Sequence, residues 1–213
     1  MSAVLQAHEV TFEYAPGKPV VEGWSADFHP GEMVALTGPS GRGKSTLLYL
    51  LGLMLRPQLG EIRIDDTSTG ELRDAQRAHL RASGFGFVFQ DAALDATRTV
   101  LDNVTETTLY RGMPRAAAKV RAHHLLGQFG VDVPAGRKPG QVSGGQAQRI
   151  ALCRALLNDP AILLADEPTG NLDPKTTSLV VDALRAQAEA GSAVVVVTHS
   201  PEVAAACDRE IRL

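Results

Sequence analysis

GPSGRGKST, Gly38 to Thr46, is the stretch on which the reading of this chain turns. Gly38, Gly43, Lys44 and Ser45 stand at the fixed places of the pattern G-x4-G-K-S/T, with Pro39, Ser40, Gly41 and Arg42 in the interval and Thr46 next in line. Glycines let the backbone curl until successive N–H groups point inward, and such a nest binds polyphosphate. Lys44 has the reach to neutralise the outer phosphates, and the Ser45 hydroxyl is a ligand type for Mg²⁺. The flanks supply the context the pattern needs. Met33 to Thr37 (MVALT) reads as a buried strand, and Ser45 to Leu55 reads as a helix stopped by Pro57 and Gly60. The positive end of that helix dipole then lies under the loop.

Composition narrows what such a loop serves. The chain has 213 residues, enough to bury a full core, and no repeat, low-complexity tract or linker divides it. A formal charge of −3 and an aromatic content of 5% argue against a general nucleic-acid binder and against base-stacking platforms. Cys153 and Cys207 have no metal-ligand spacing to another Cys or His, and read as small reduced side chains of a cytoplasmic protein. The N-terminal MSAVLQAHEV is short and carries an acid, so no signal peptide is expected. No apolar run is long enough to span a bilayer, so any membrane connection is expected to come through a partner.

Upstream of the loop, Val4 to Tyr14 and Val20 to Phe28 read as two strands joined by a turn at Pro16 to Lys18, an antiparallel flap beside the phosphate site. Tyr14, taken alone, is a structural residue. Downstream, Glu61 to Asp65 reads as a strand and Glu71 to Ser83 as a polar helix. Gly84 to Gln90 is a strand ending in a polar residue. From Asp91 the pattern turns helical, with Thr99 as an N-cap and a second helix opened by Pro114 and closed by Gly130. His123 and His124 are adjacent on that helix, so they do not face one metal together and read as a solvated pair.

Ser143, Gly144 and Gly145 open a long amphipathic helix that runs to Asn158. Small residues there form either an ordinary N-cap or a second anion-binding surface. Ala161 to Asp173 (AILLADEPTGNLD) begins as a continuous apolar strand of the kind found in parallel sheets. It ends in Asp166 and Glu167, at the strand end where open α/β sheets bind ligands. Asp166 is placed to hold Mg²⁺ through water, and Glu167 to orient and deprotonate an attacking water. A helix from Pro174 to Ala190, a strand from Ala193 to Thr198 with His199 at its end, a short helix and a closing strand complete the chain.

Taken in order, these pieces resemble an ATP-binding cassette ATPase over essentially the whole chain. The residues carrying the resemblance are GPSGRGKST, Gln90, SGGQ at 143–146, ILLADEP at 162–168, NLD at 171–173 and His199. SGGQ downstream of a P-loop is the discriminating piece. The resemblance implies an α/β, RecA-like P-loop NTPase fold, its mostly parallel sheet flanked by helices, with an N-terminal antiparallel β flap and an inserted α-helical subdomain. The whole of 1–213 would be one domain, with the core and flap at 1–90 and 153–213 and the insert at 91–152. It implies ATP and Mg²⁺ as cofactors, and hydrolysis to ADP and phosphate.

The same resemblance assigns roles. Tyr14 matches the aromatic that stacks on adenine. Lys44 and the amides from Gly38 to Thr46 would bind phosphate, while Ser45, Gln90 and Asp166 would serve Mg²⁺. Glu167 would be the general base, and His199 would hold the γ-phosphate and the water. Asp173 would communicate across a dimer. Ser143, Gly144 and Gly145, with Gln146 completing the motif, would bind the γ-phosphate of ATP held by another subunit. Lys44 and the signature would thus serve different composite sites, which implies pairing with a second cassette, as a homodimer.

GFVFQ, LLADEPTGNLD and VTHSPEVA look like the branch containing bacterial lipoprotein-release, macrolide-export and cell-division cassettes. The partner in that branch is an integral-membrane permease with few spans, and the cassette lies on the inner face of the membrane. Departures bear on this. Val142 stands where Leu usually precedes SGGQ, and Arg42 replaces a commoner small residue. Asp91 to Val100 (DAALDATRTV) differs from the lipoprotein-release pattern in the region that faces the permease, so partner and substrate are not carried over. The chain ends soon after His199, and no C-terminal regulatory domain is expected. Two other readings stay open, a regulatory cassette that recruits a partner with ATP and a soluble cassette ATPase outside transport. A small-molecule kinase is disfavoured by SGGQ.

Overall fold

Ala193–Val197 reads AVVVV, and Ile162–Asp166 reads ILLAD. Neither run has a polar side chain to turn toward water before Asp166, so each needs an apolar layer on both faces. In the computed structural model, which describes residues 3–170 and 172–213 apart from the side chain of Leu109, both are central strands and every residue in them is buried. Asn171, the first residue of the NLD motif, lies outside the described residues.

The chain runs β1 (Leu5–Glu13), β2 (Pro19–Phe28), β3 (Met33–Thr37), α1 (Lys44–Leu51), β4 (Leu59–Ile64), β5 (Thr67–Ser68), α2 (Asp74–Gly84) and β6 (Phe85–Val88). It continues through α3 (Val100–Thr105), α4 (Arg115–Gln128), α5 (Gly144–Leu156), β7 (Ile162–Asp166), α6 (Pro174–Glu189), β8 (Ala193–Val197), α7 (Pro201–Ala205) and β9 (Arg209–Arg212). Five strands form a wholly parallel sheet in the order β6-β7-β8-β3-β9. The others form an antiparallel sheet in the order β2-β1-β4-β5.

Strand alternation sorts the core into two layers. Leu163, Ala165, Val194 and Val196 face the layer built by α3 to α7. Ile162, Leu164, Val195 and Val197 face α1 and the antiparallel sheet. Each fully buried side chain of this kind contributes about 1.5–3 kcal/mol. A charge at Val195 would therefore break the contact between α1 and the sheet. Because the strands are parallel, they all finish on one edge. The registers Leu36 with Val197, Asp166 with Val197 and Val88 with Ala165 bring the loops after β3, β6, β7 and β8 side by side there.

Three expectations need correction. First, α1 ends at Leu51 with Gly52 as its C-cap, short of Leu55, and Pro57 and Gly60 have no part in stopping it. Gly52 is pressed so closely on the sheet that a Cβ would sit 2.6 Å from Phe87 Cε1, and Leu53 takes a left-handed φ of 56°. Gly60 belongs to β4, which starts two residues before the predicted Glu61. Second, the helix predicted after Thr99 is α for six residues and then tightens into a 3-10 turn over Glu106–Tyr110. Third, residues 152 and 153 both lie within α5, one unbroken helix, so the chain does not part there.

Candidate active site

The loop between β3 and α1 curls as its glycines allow. Gly38, Gly41 and Gly43 take φ values of 136°, 80° and 82°. At two of them a side chain is also sterically barred. A Cβ on Gly38 would lie 2.6 Å from Leu213 O, and one on Gly43 2.7 Å from Val20 O. Gly43 is the N-cap of α1 and offers no side-chain acceptor, and the first turn of the helix has no acid, so its N–H groups keep their positive end open to an anion. Lys44 Nζ folds back across the loop and donates to Gly38 O at 2.8 Å and Pro39 O at 2.9 Å. Tyr14 is largely exposed, stands edge-on to Phe12 at 4.9 Å, and its hydroxyl pairs with Thr46 Oγ1 at 3.2 Å.

Beside the loop opens a cleft of about 620 Å³ that Ser45, Gln90 and Asp166 share. Asp166 is the last residue of β7 and is buried, yet its Oδ1 has no hydrogen-bond partner among the described residues. Burial pushes its carboxyl above the ordinary range, the Glu167 charge adds to that, and the Ser45 hydroxyl and Lys44 charge pull it back. A hydroxyl, an amide oxygen and an orphaned carboxylate oxygen are hard donors, the set that suits Mg²⁺ when substrate phosphates and water supply the rest. Gln90 reaches the cleft because the strand before it stops at Val88 and Gln148 Nε2 holds Phe89 O at 3.1 Å.

Glu167 follows at once, in the left-handed region at φ 47° and tied by its N–H to Val197 O. Its side chain is only 13% exposed and meets His199, which is 75% exposed, with Nδ1 2.8 Å from Oε1. The structure therefore gathers Lys44, Ser45, Gln90, Asp166, Glu167 and His199 on one edge of one sheet.

The remaining predicted residues stand apart from this group. Ser143 caps α5. Its Oγ accepts from Gln146 N at 3.2 Å, and Gln146 Oε1 accepts from Ser143 N at 2.9 Å. A Cβ on Gly144 would meet nothing within 4 Å. Asp173 caps α6, accepting from Thr176 N and from the Thr176 hydroxyl, and that hydroxyl holds its carboxyl below the usual range. Neither the cleft nor the cavity that Gly38 and Pro39 share with His199 includes a residue of the signature. His123 and His124 are exposed, as a solvated pair should be, and no cluster of three metal-ligating side chains occurs among the described residues. Cys153 and Cys207 are free, with burial pushing their thiols to about 12 and about 11.

Two features went unread in the sequence. Tyr49 and Asp91 line the same cleft as Asp166. A groove of about 690 Å³ also opens beside the cleft, with which it shares Phe89, lined among others by Met54, His79, Phe87, Tyr110 and Asn158. Asn158 is 7% exposed, and its Oδ1 has no partner among the described residues. No helix among the described residues is long and apolar enough to cross a membrane.

A glycine-rich loop at a helix N-terminus, with two neighbouring acids at the same edge of a parallel sheet, is the layout of a P-loop NTPase. The family model described as ABC transporter matches residues 21–170, and the chain belongs to that family as an ATP-binding subunit with ATPase activity. It is 44% identical over 195 residues to the lipoprotein-releasing system ATP-binding protein LolD of Paramagnetospirillum magneticum, covering 91% of this chain and 86% of that one. It is 43% identical to the macrolide export ATP-binding/permease protein MacB 1/2 of Paracoccus denitrificans over 88% of this chain, which spans 28% of that longer protein. The structure superposes on a post-hydrolysis dimer of the cassette MJ0796 bound to ADP and Pi, with a TM-score of 0.91, 36% identity, and coverage of 98% of this chain and 94% of that one.

Proposed function

We propose that this chain is the ATP-hydrolysing subunit of an exporter or mechanotransmission system for lipoprotein, peptide or drug, in which two copies closing on ATP move an integral-membrane permease. The observation that carries the hydrolytic part is the pairing of Glu167 with His199 beside the phosphate loop. In this reading Lys44 leaves its two loop carbonyls to meet the outer phosphates, and the amides of Gly38 to Thr46 bind the rest. Glu167 takes the proton of the attacking water, held at its post by His199, which also steadies the γ-phosphate. Ser45, Gln90 and Asp166 would hold Mg²⁺, which neutralises phosphate charge. Tyr14 would leave Thr46 to stack on adenine.

The signature is read as serving a second copy. Gly144 is helical, has an ordinary φ, and meets nothing in its own chain, so the fold alone gives no reason for a glycine there. Close approach of a phosphate from another subunit is such a reason. Asp173 and Gln146, which brace the starts of α6 and α5, would keep that surface in shape. Two such cassettes form a homodimer with ATP between them, and the helical stretch from residue 91 through the end of α5 is the part that moves against the rest of the core.

The permease would seat in the groove at Met54 and Tyr110, both exposed large apolar side chains, and hold the chain on the inner face of the membrane. The names of LolD and MacB among the relatives favour this branch. The test is capture from detergent-solubilised membranes with Glu167→Gln and ATP, followed by mass spectrometry. Recovery of a permease with a large outer domain supports the reading. Recovery of ribosomal or soluble partners alone overturns it.

A further inference from the structure

The cleft shared by Ser45, Gln90 and Asp166 contains a tyrosine that the cassette reading leaves without a role. Tyr49 lies four residues beyond Ser45 on α1, so the two side chains leave the same helix face. Both line the cleft. The ring of Tyr49 is seated from behind. Phe85, Phe87 and Phe89 form a ladder with centroids 5.7 and 5.8 Å apart and planes within 6°, and Tyr49 closes it 6.5 Å from Phe89. The backbone around Phe89 is pinned in turn, since Gln148 donates to Phe89 O and Arg154 donates to Ala92 O and Ala93 O at 2.9 and 2.7 Å.

That seat accounts for an aromatic ring but not for a hydroxyl. Phenylalanine would pack on Phe89 as well, so the packing gives no reason for the hydroxyl at the cleft. The hydroxyl of Tyr14 has Thr46 Oγ1, whereas that of Tyr49 has no such partner among the described residues. The cleft it lines is shared with four oxygen-bearing side chains, Ser45, Gln90, Asp91 and Asp166. A small divalent cation bound by so few protein oxygens keeps several waters, and those waters need fixed partners to stay oriented.

We propose that Tyr49 is a positioning residue of this cleft, its hydroxyl hydrogen-bonding to the water shell of the divalent cation that Ser45, Gln90 and Asp166 would hold. The inference rests on the reading of the cleft as a cation site. It is tested with Mn²⁺ as the probe, titrated by electron paramagnetic resonance into the full-length chain with a non-hydrolysable ATP analogue. Tyr49→Phe keeps the ring and its seat. Its Mn²⁺ dissociation constant is expected to rise roughly ten-fold, at the low end for an outer-shell partner. Affinity for the analogue without metal stays unchanged, and the Mg²⁺ needed for half-maximal hydrolysis rises in parallel. Asp166→Asn is the control. If it weakens Mn²⁺ binding and Tyr49→Phe does not, the Tyr49 assignment fails and the cation site stands. If neither moves Mn²⁺ binding, both fail.

Discussion

His199 Nδ1 stands 2.8 Å from Glu167 Oε1, and the His199 backbone N–H points at the other oxygen of the same carboxylate from 3.4 Å. One residue at the end of β8 thus aims the side chain that follows β7, and the left-handed backbone of Glu167 is part of that aim. A general base works only within reach of its water, so fixing this carboxylate is chemically useful. Glu167→Gln keeps the shape and removes the basicity. It is expected to bind ATP with near-normal affinity, lose about 10²- to 10⁴-fold in phosphate release, and accumulate as an ATP-bound dimer in size-exclusion chromatography. Turnover at the wild-type rate would remove Glu167 as the base.

Lys44 is occupied by the carbonyls of Gly38 and Pro39. Its ammonium is therefore held over the loop mouth at little further ordering cost. In the proposed reading Lys44→Ala removes charge-assisted bonding to phosphate, each such bond contributing about 1.5–3 kcal/mol. ATP affinity measured by calorimetry should fall by about 10²-fold or more, with the fold intact because the chain carbonyls lost by Lys44 can turn to water. Retained affinity would contradict the phosphate assignment.

The parts of this molecule that were readable in the sequence are those set by neighbours in the chain. MVALT, ILLAD and AVVVV announce buried parallel strands because they contain almost nothing that could face water. Thr99 and Ser143 announce helix starts, and each accepts from the backbone N–H three residues on. What was not readable depends on distant contacts. The end of α1 is set by Arg77 and Arg81 of α2, which donate to Leu53 O at 2.6 and 2.8 Å, and by the fit of Gly52 against Phe87. The exit of Gln90 into the cleft depends on Gln148 and Arg154 of α5. Tyr49 did carry a signal, its four-residue spacing from Ser45. A tyrosine in an apolar helix reads first as core, though, and only the cleft shows which way it faces.

Asp208 ties the end of the fold to the start of the phosphate-loop strand. Its Oδ2 accepts from Met33 N at 2.8 Å, and Arg185 pairs with both of its oxygens at 2.7 Å. The Met33 amide, with help from Arg185, holds the carboxyl below its usual range. With a folded-state value below the unfolded one, stability is present above the ordinary carboxylate range and is lost as pH falls through the depressed value. Asp208→Asn should therefore cost about 1 kcal/mol at pH 7, a figure kept small because the ion pair is solvent-screened. The difference from wild type should shrink toward zero in urea melts at progressively lower pH. A cost independent of pH would place the effect in packing instead.

Gly144 separates the needs of the fold from those of catalysis. Its backbone is helical and a Cβ there meets nothing within 4 Å, so alanine fits the single chain without strain. Alanine is also the better helix former, so Gly144→Ala should leave the melting temperature unchanged or raise it slightly. ATP affinity measured on the monomer should also stay the same, because the phosphate loop is elsewhere. Yet if a phosphate of a second copy must reach the start of α5, the added methyl group stands in its path, and hydrolysis should fall at least ten-fold along with dimer formation by the Glu167→Gln background. A stable Gly144→Ala protein with full activity would mean that the signature glycine faces solvent throughout the cycle, and the composite site would have to be abandoned. Loss of activity together with loss of melting temperature would place the role of Gly144 inside its own chain, against the open space seen around it.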